Sequence, residues 1–184
     1  GIVESKLGRI KDLNALGANT IVLLDSVDQA RSINNFCEEN DCSISALIEI
    51  DCDGHRGGLK PNDPLLIQVA KILDSGQGEF LGILAHAGES YSCVDKASLQ
   101  KAAQNEVDQA RLAVSKLAKS DISCGIVSIG STPTAHNYQN LDGITEVRAG
   151  VYTFFDLVMA GIGVCDKADI ASSVVTTVIG HNKD

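Results

Sequence analysis

The stretch SALIEID at residues 45–51 is a short run of mostly apolar, partly β-branched residues that closes on an acidic one. Four further strand-like runs lie at residues 20–25, 80–86, 125–129 and 145–147. Runs of this kind are typical of strands buried on both faces of a parallel sheet. The five runs therefore predict a parallel β-sheet.

Longer segments with helical periodicity separate these strands. Apolar residues recur three or four positions apart in residues 2–16, 27–38, 63–73 and 96–119, and this spacing predicts a helix in each segment. Strands that alternate with helices form βα units, in which the helices cover the faces of the sheet. The sequence therefore predicts an α/β fold.

The number of strands leaves two architectures open. About five strands are visible, whereas a closed (β/α) barrel contains eight. We expect part of a TIM-type (β/α) barrel, because the chain begins and ends abruptly, with an open doubly wound sheet as the alternative. Residues 169–180 are rich in Val, Thr, Ile and Ser and predict the first strand of an antiparallel layer. We therefore expect a partial barrel at residues 1–166 and the start of a C-terminal β domain at residues 167–184.

Composition argues against several classes of function. The net charge of −9 disfavours a nucleic-acid partner, because phosphate backbones bind cationic surfaces. No apolar run approaches the roughly 18 residues of a membrane span, and no signal peptide is visible, so we expect a cytoplasmic protein without membrane contact. None of the six cysteines forms a CxxC pair or is spaced with a His pair, and no zinc site is expected.

Candidate ligand-binding residues follow the predicted strands, since parallel α/β proteins bind ligands at the carboxyl ends of their strands. Gly130 allows a close backbone approach, and Ser131 and Thr132 offer hydroxyl donors. Gly150 and Val151 add N–H donors from the next loop. Two such loops predict a phosphate site, with plain capped turns as the alternative.

Three further side chains at strand ends are candidates for ligand contact. The planar guanidinium group of Arg56 or Arg148 can hold a pyridine ring or a substrate carboxylate with N–H donors in fixed positions. A structural ion pair is the alternative for each arginine. The sequence leaves three interpretations of His86 open: a general base, a stacking partner for an aromatic cofactor, and a hydrogen-bonded core histidine.

Together these strand ends resemble the D-threonine aldolase and D-serine dehydratase family of fold-type III enzymes, which use pyridoxal 5′-phosphate (PLP). The matching motifs are Glu49-Ile50-Asp51 with Gly54, Arg56 and Gly58, then His86-Ala87-Gly88 with Ser90 and Tyr91, then Gly130 to Thr134, and finally Glu146 to Tyr152 with Phe154 and Asp156. The sequence departs from the family at Glu89, where the family has a second histidine, and at Ala149, where it has proline. It also has one residue rather than two between Gly54 and Arg56.

The resemblance implies a barrel of the alanine racemase N-terminal kind followed by a β domain. It implies that the PLP phosphate is held by Gly130, Ser131, Thr132, Gly150 and Val151. It places Arg56 near the phenolic oxygen of the cofactor ring. The rest of the cofactor pocket is expected to be lined by Tyr91, His86 and Arg148.

The same resemblance implies a parent protein that is a PLP-dependent lyase, cleaving or dehydrating D-β-hydroxy-amino acids. The family's Schiff-base lysine lies upstream of Gly1, and its divalent metal site lies in the β domain beyond Asp184. We therefore expect a fragment that is inactive alone, and we assign it no catalytic or metal-binding residue. The alternatives are a non-catalytic PLP-binding protein of cofactor homeostasis, an amino-acid racemase, and a phosphate-binding α/β enzyme without PLP.

The expected partners are a small D-amino acid and another protein chain. An open partial barrel exposes unpaired sheet edges. We therefore expect the chain to pair with a second copy of itself or with a complementary fragment.

Overall fold

The computed structural model describes residues 2–181, and its centre is a parallel five-stranded sheet. The strands, in chain order, are Ile21–Leu24 (β1), Ile44–Ile50 (β2), Gly78–Ala85 (β3), Ile126–Ile129 (β4) and Glu146–Val147 (β5). Each pairs with the next in parallel register. All five predicted strands are confirmed, with ends that differ from the prediction by at most two residues.

The helices alternate with the strands as the periodicity predicted. The four long ones are Glu4–Ala15 (α1), Val27–Asn40 (α2), Leu65–Asp74 (α3) and Lys96–Ala118 (α4). Two short ones follow, Thr132–Ala135 (α5) and Leu157–Gly161 (α6), with 3₁₀ turns at residues 88–92, 151–153 and 167–169. Side-chain caps begin α2 at Ser26 and α4 at Asp95, which satisfies N–H groups that the first turn leaves unpaired.

The strand order decides between the two architectures that the sequence left open. The strands lie side by side in chain order, β1 to β5, with no reversal. A doubly wound sheet reverses its order at a switch point, whereas a barrel does not. Successive long helices pack on one another, α1 on α2, α2 on α3 and α3 on α4. The fold is therefore an α/β fold that corresponds to part of a barrel, as the resemblance implies.

The hydrophobic core lies between the sheet and the layer of long helices. In β2, the alternate residues Ile44, Ala46, Ile48 and Ile50 are at most 1% exposed, as expected for the strand face that the helices cover. The opposite face carries polar side chains, among them Glu49 and, two strands away, Ser128. Since successive side chains of a strand point to opposite faces, a polar face and an apolar core share the same strands.

The C-terminal segment differs from the prediction. Residues 170–181 contain no helix or strand, and the apolar side chains after Ile170 are exposed, with Val175 97% and Ile179 99% accessible. The β-branched composition favours a strand, but a strand forms only where a neighbouring backbone accepts its hydrogen bonds. The predicted strand at 169–180 is therefore not formed in this structure. The domain boundary at residue 166 stays a prediction, and residues 182–184 of the predicted β domain lie outside the described residues.

The longest helix, α4, spans 23 residues and has one buried face. Across residues 2–181, no helix combines the length and the apolar character that a membrane crossing requires. The expected cytoplasmic location stays a prediction.

Candidate functional site

A cavity of about 310 Å³ opens at the carboxyl end of the sheet. Its lining residues come from the ends of β3, β4 and β5, and they are His86, Tyr91, Gly130, Ser131, Thr132, Arg148, Ala149, Gly150 and Val151. Eight of the nine residues predicted to bind the cofactor are in this set. The structure thus brings together residues that lie as far apart as 65 positions in the sequence.

Parallel strand direction explains this convergence. β3 ends at Ala85, and β4 and β5 end at Ile129 and Val147. In each case the next residue or the loop after it enters the cavity. Parallel strands place all their carboxyl ends at one edge of the sheet, so neighbouring strands deliver their following residues to one place.

Gly130 allows the β4 end to approach the β5 end closely. It has a φ of +136°, and a Cβ atom there would lie 2.1 Å from the carbonyl oxygen of Arg148. Both the left-handed conformation and the lack of space favour glycine over every other residue. The close approach brings the two predicted phosphate loops together.

His86 lines the cavity and has one ring nitrogen without a partner in the described part of the chain. Its Nδ1 lies 2.9 Å from the carbonyl oxygen of Gly130. A carbonyl only accepts hydrogen bonds, so Nδ1 carries the proton and Nε2 is the bare acceptor. Nε2 is buried and has no hydrogen-bond partner within residues 2–181. The ring of Tyr91 lies alongside, with a centroid distance of 6.1 Å and an interplanar angle of 24°.

Burial lowers the pKa of His86, and the positive charge of Arg56 lowers it further. His86 is therefore neutral at pH 7, and its Nε2 stays an acceptor. Arg56 does not line the cavity but is close to it. A Cβ atom on Gly88 would lie 2.9 Å from Arg56 Cγ, so the Arg56 stem packs on the loop that follows β3.

Arg148 is held by groups on three neighbouring strands. Its Nε donates to Ser128 Oγ at 2.8 Å, and a terminal nitrogen donates to the carbonyl oxygen of Ala85. Its Nε also lies 3.8 Å from a carboxylate oxygen of Glu146. Arg148 therefore combines the two interpretations that the sequence left open, because it forms an ion pair and also lines the cavity.

The two predicted phosphate loops offer backbone donors more than hydroxyl donors. Ser131 Oγ accepts from Thr134 N–H at 3.3 Å and lies 2.9 Å from Ser90 Oγ, since a buried hydroxyl needs partners inside the protein. Thr132 Oγ1 accepts from the N–H of Tyr152 at 3.2 Å and ties the loops together. The N–H groups of Thr132, Gly150 and Val151 have no hydrogen-bond acceptor within the described part of the chain.

Glu106 is the site residue that the sequence analysis missed. It lies on α4, is 0% exposed, and its Oε1 accepts from the N–H groups of Ala87 at 3.0 Å and Gly130 at 2.9 Å. Its Oε2 accepts from the hydroxyl of Tyr138 at 2.6 Å. A signal was present, because Glu106 adjoins the buried stripe formed by Ala103, Val107 and Ala110. A charged residue on the buried face of a helix indicates a specific partner.

One other cluster of ionisable groups lies beside the cavity. Asp53, His55 and Glu89 hold potential metal-ligand atoms within 4.8 Å of one another. Hydrogen bonds in the loops account for this proximity, because the Asp53 carboxylate accepts from the N–H of His55 at 3.1 Å and of Glu89 at 2.8 Å. His55 and Glu89 are exposed. The cluster is a structured junction between the loops after β2 and β3.

The chain is similar to known proteins over most of its length. Residues 6–158 match the family "Alanine racemase, N-terminal domain". D-threo-3-hydroxyaspartate dehydratase of Delftia sp. (strain HT23) is 43% identical over 180 residues, 97% of this chain and 47% of that protein. D-serine dehydratase of Dictyostelium discoideum is 28% identical over 170 residues, 86% of this chain and 43% of that protein. The chain thus spans less than half the length of these curated relatives.

Solved structures give the same result. An Ala racemase-like protein from Idiomarina loihiensis has a TM-score of 0.93 and 49% identity, covering 100% of this chain and 48% of its own. D-threonine aldolase from Filomicrobium marinum has a TM-score of 0.76 at 23% identity, covering 87% and 43%, which shows a shared fold. The family resemblance inferred from the four motifs is confirmed.

The environment of His86 leads to a prediction about its titration. Replacing Arg56 with alanine raises the pKa of His86, because the guanidinium charge opposes protonation of the ring. Burial, the largest cause of the lowered pKa, remains in this variant. An NMR pH titration of the His86 ring measures both values. In the control Arg31→Ala, which removes an exposed charge from α2, the pKa is unchanged. A His86 that titrates at or above 6.5 in the unmodified protein contradicts the structure.

Proposed function

The chain belongs to the alanine racemase N-terminal domain family of fold-type III PLP enzymes, and from this premise we propose that it forms the cofactor-binding part of a D-3-hydroxy-amino-acid dehydratase. The observation that carries the proposal is the cavity into which eight predicted cofactor residues converge. The relative that is 43% identical acts, by its name, as a D-threo-3-hydroxyaspartate dehydratase. A dehydratase is therefore preferred to an aldolase, whose likeness here is one of fold.

The lining of the cavity fits PLP chemically. The free N–H groups of Thr132, Gly150 and Val151 are donors of the kind that binds a phosphate. Nε2 of His86 is a buried hydrogen-bond acceptor without a partner within residues 2–181. A ligand could supply a hydrogen-bond donor to this nitrogen or an aromatic ring beside the imidazole. The guanidinium group of Arg148 lines the same cavity. Hydrogen-bond donors for an anion and a histidine ring beside Tyr91 fit the phosphate and the ring of this cofactor.

The roles of these residues follow from their fixed positions. When bound, PLP supplies an electron sink for carbanion chemistry at the α-carbon of an amino acid. Thr132, Gly150 and Val151 bind the phosphate, and the bonds from Arg148 to Ser128 and Ala85 hold its guanidinium in one orientation. His86 keeps Nε2 unprotonated at neutral pH, because burial and Arg56 lower its pKa. This nitrogen therefore accepts a hydrogen bond rather than adding charge.

We propose that the rest of the full-length protein completes the active site. No lysine is among the cavity-lining residues of the part that the structure describes, and the chain covers 47% of its 43%-identical relative. The Schiff-base lysine and a divalent metal are assigned to that remainder. One solved structure of a D-threo-3-hydroxyaspartate dehydratase is a metal-free form of a mutant, which supports a metal in this group. On this account residues 1–184 alone catalyse neither dehydration nor cleavage.

The test of the proposed function uses the full-length protein with PLP. D-threo-3-hydroxyaspartate and D-serine are converted to their 2-oxo acids with release of ammonia, which a coupled NADH assay measures. The L-enantiomers are the matched control and give no 2-oxo acid. Appearance of the L-amino acid indicates a racemase, and glycine with an aldehyde indicates an aldolase. PLP binding without any product indicates a non-catalytic cofactor protein, and each of these three outcomes contradicts the dehydratase proposal.

A pair of substitutions tests the backbone donor of Thr132. Thr132→Pro removes the N–H at the first position of α5, where proline fits and the preceding Ser131 is extended. Thr132→Val removes only the hydroxyl. One hydrogen bond to a charged group contributes about 1.5–3 kcal/mol, so the proline variant binds PLP about ten- to a hundredfold more weakly than the valine variant. Equal dissociation constants, measured by absorbance titration of the full-length protein, would show that this N–H does not hold the phosphate.

A further inference from the structure

We propose that Glu106 is a positioning residue of the cofactor site, whose buried carboxylate holds the β3 and β4 loops together and fixes the orientation of His86 and Ser131. The inference rests on the proposed PLP site but concerns a residue outside its lining. Glu106 approaches from α4, on the helix side of the sheet, and contacts the cavity only through other groups.

One carboxylate oxygen joins the ends of two strands. Oε1 of Glu106 accepts the N–H of Ala87, which directly follows His86, and the N–H of Gly130, which directly follows β4. The distances are 3.0 and 2.9 Å. Both N–H groups are past the last residues that pair within the sheet. The carboxylate thus takes over the role of the sheet hydrogen bonds at the point where the cavity begins.

This contact reaches His86 through Gly130. The N–H of Gly130 bonds to Glu106, and its carbonyl oxygen bonds to Nδ1 of His86 at 2.9 Å. Gly130 has a φ of +136°, a backbone conformation that glycine adopts without strain and other residues rarely adopt. Bonds on both sides fix this flexible residue. The carbonyl then keeps the proton of His86 on Nδ1 and leaves Nε2 unprotonated.

The other carboxylate oxygen reaches the phosphate loop through hydroxyl groups. Oε2 accepts a hydrogen bond from the Tyr138 hydroxyl, so the Tyr138 oxygen accepts in turn from the hydroxyl of Thr134 at 3.0 Å. Thr134 Oγ1 lies 2.9 Å from Ser131 Oγ. Since a carboxylate only accepts, it sets the direction of the hydrogen bonds that follow. Glu106 thereby orders the buried side of Ser131.

Packing alone does not require a carboxylate at this position. The neighbouring residues on the same buried stripe of α4, Ala103, Val107 and Ala110, are apolar. A leucine at 106 would be as apolar as they are but would leave three donors without an acceptor. An unpaired buried donor is costly, and bonds to a charged acceptor are stronger than neutral ones. The specific contribution of Glu106 is therefore to hold the loops.

The experiment compares three variants of the full-length protein. Glu106→Leu removes the acceptor. Glu106→Gln keeps one acceptor oxygen for the two N–H groups and is the conservative rescue, which also serves if the leucine variant does not fold. Leu117→Ala is the stability control, because Leu117 is also 0% exposed in α4 but lies about 16 Å further along the helix. Side-chain ¹⁵N NMR gives the tautomer of His86, and absorbance titration gives the PLP dissociation constant.

We expect His86 to be protonated on Nδ1 alone in the unmodified protein, in Leu117→Ala and in Glu106→Gln. In Glu106→Leu the tautomer protonated on Nε2 becomes detectable. PLP binding weakens about tenfold or more in Glu106→Leu, while Leu117→Ala stays within about threefold of the unmodified protein. These differences are not expected of a residue that contributes stability alone.

Two results separate this inference from the proposed function. An unmodified protein that binds no PLP overturns the proposed function, whereas the tautomer measurement needs no cofactor and still decides the role of Glu106. An unchanged His86 tautomer in the folded Glu106→Leu variant overturns the inference, as does a Glu106→Gln variant whose His86 tautomers mix. PLP affinity that falls equally in Leu117→Ala and Glu106→Leu also overturns it.

Discussion

The buried carboxylate of Glu106 is the contact on which the geometry of the site depends. It takes three donors from three different segments, the N–H of Ala87, the N–H of Gly130 and the hydroxyl of Tyr138. Removing a carboxylate from water is costly unless hydrogen bonds replace its hydration, and these three bonds do so. Where the parallel ladder ends, this one side chain keeps β3 and β4 in register, and the cavity is formed by the loops it holds.

The polarity of the cavity follows from this arrangement. Within residues 2–181, the backbone N–H groups of Thr132, Gly150 and Val151 have no hydrogen-bond acceptor, and the neutral ring of His86 lines the same cavity. Burial and the charge of Arg56 both lower the pKa of His86, so the ring adds no charge at neutral pH. The cavity therefore combines hydrogen-bond donors that suit an anion with an uncharged histidine ring.

The sequence predicted most of the fold because the fold depends on local periodicity. Strands such as residues 45–51 and helices such as residues 96–119 are set by which neighbours are apolar, and parallel order then brings their ends together. The contacts of Glu106 were not predictable in this way, because they join residues 19, 24 and 32 positions apart through tertiary packing. The same limit applies to residues 170–181, whose composition favours a strand but which form none in this structure, because strand formation depends on pairing with another strand.

We propose that the loops after β4 and β5 hold the phosphate of PLP, and a crystal structure of the full-length protein with PLP is the decisive test. We expect phosphate oxygens within hydrogen-bond distance of the N–H groups of Thr132, Gly150 and Val151, with the cofactor ring beside His86. PLP bound at another place, with these three N–H groups still unpaired, would show that the loops do not hold the phosphate.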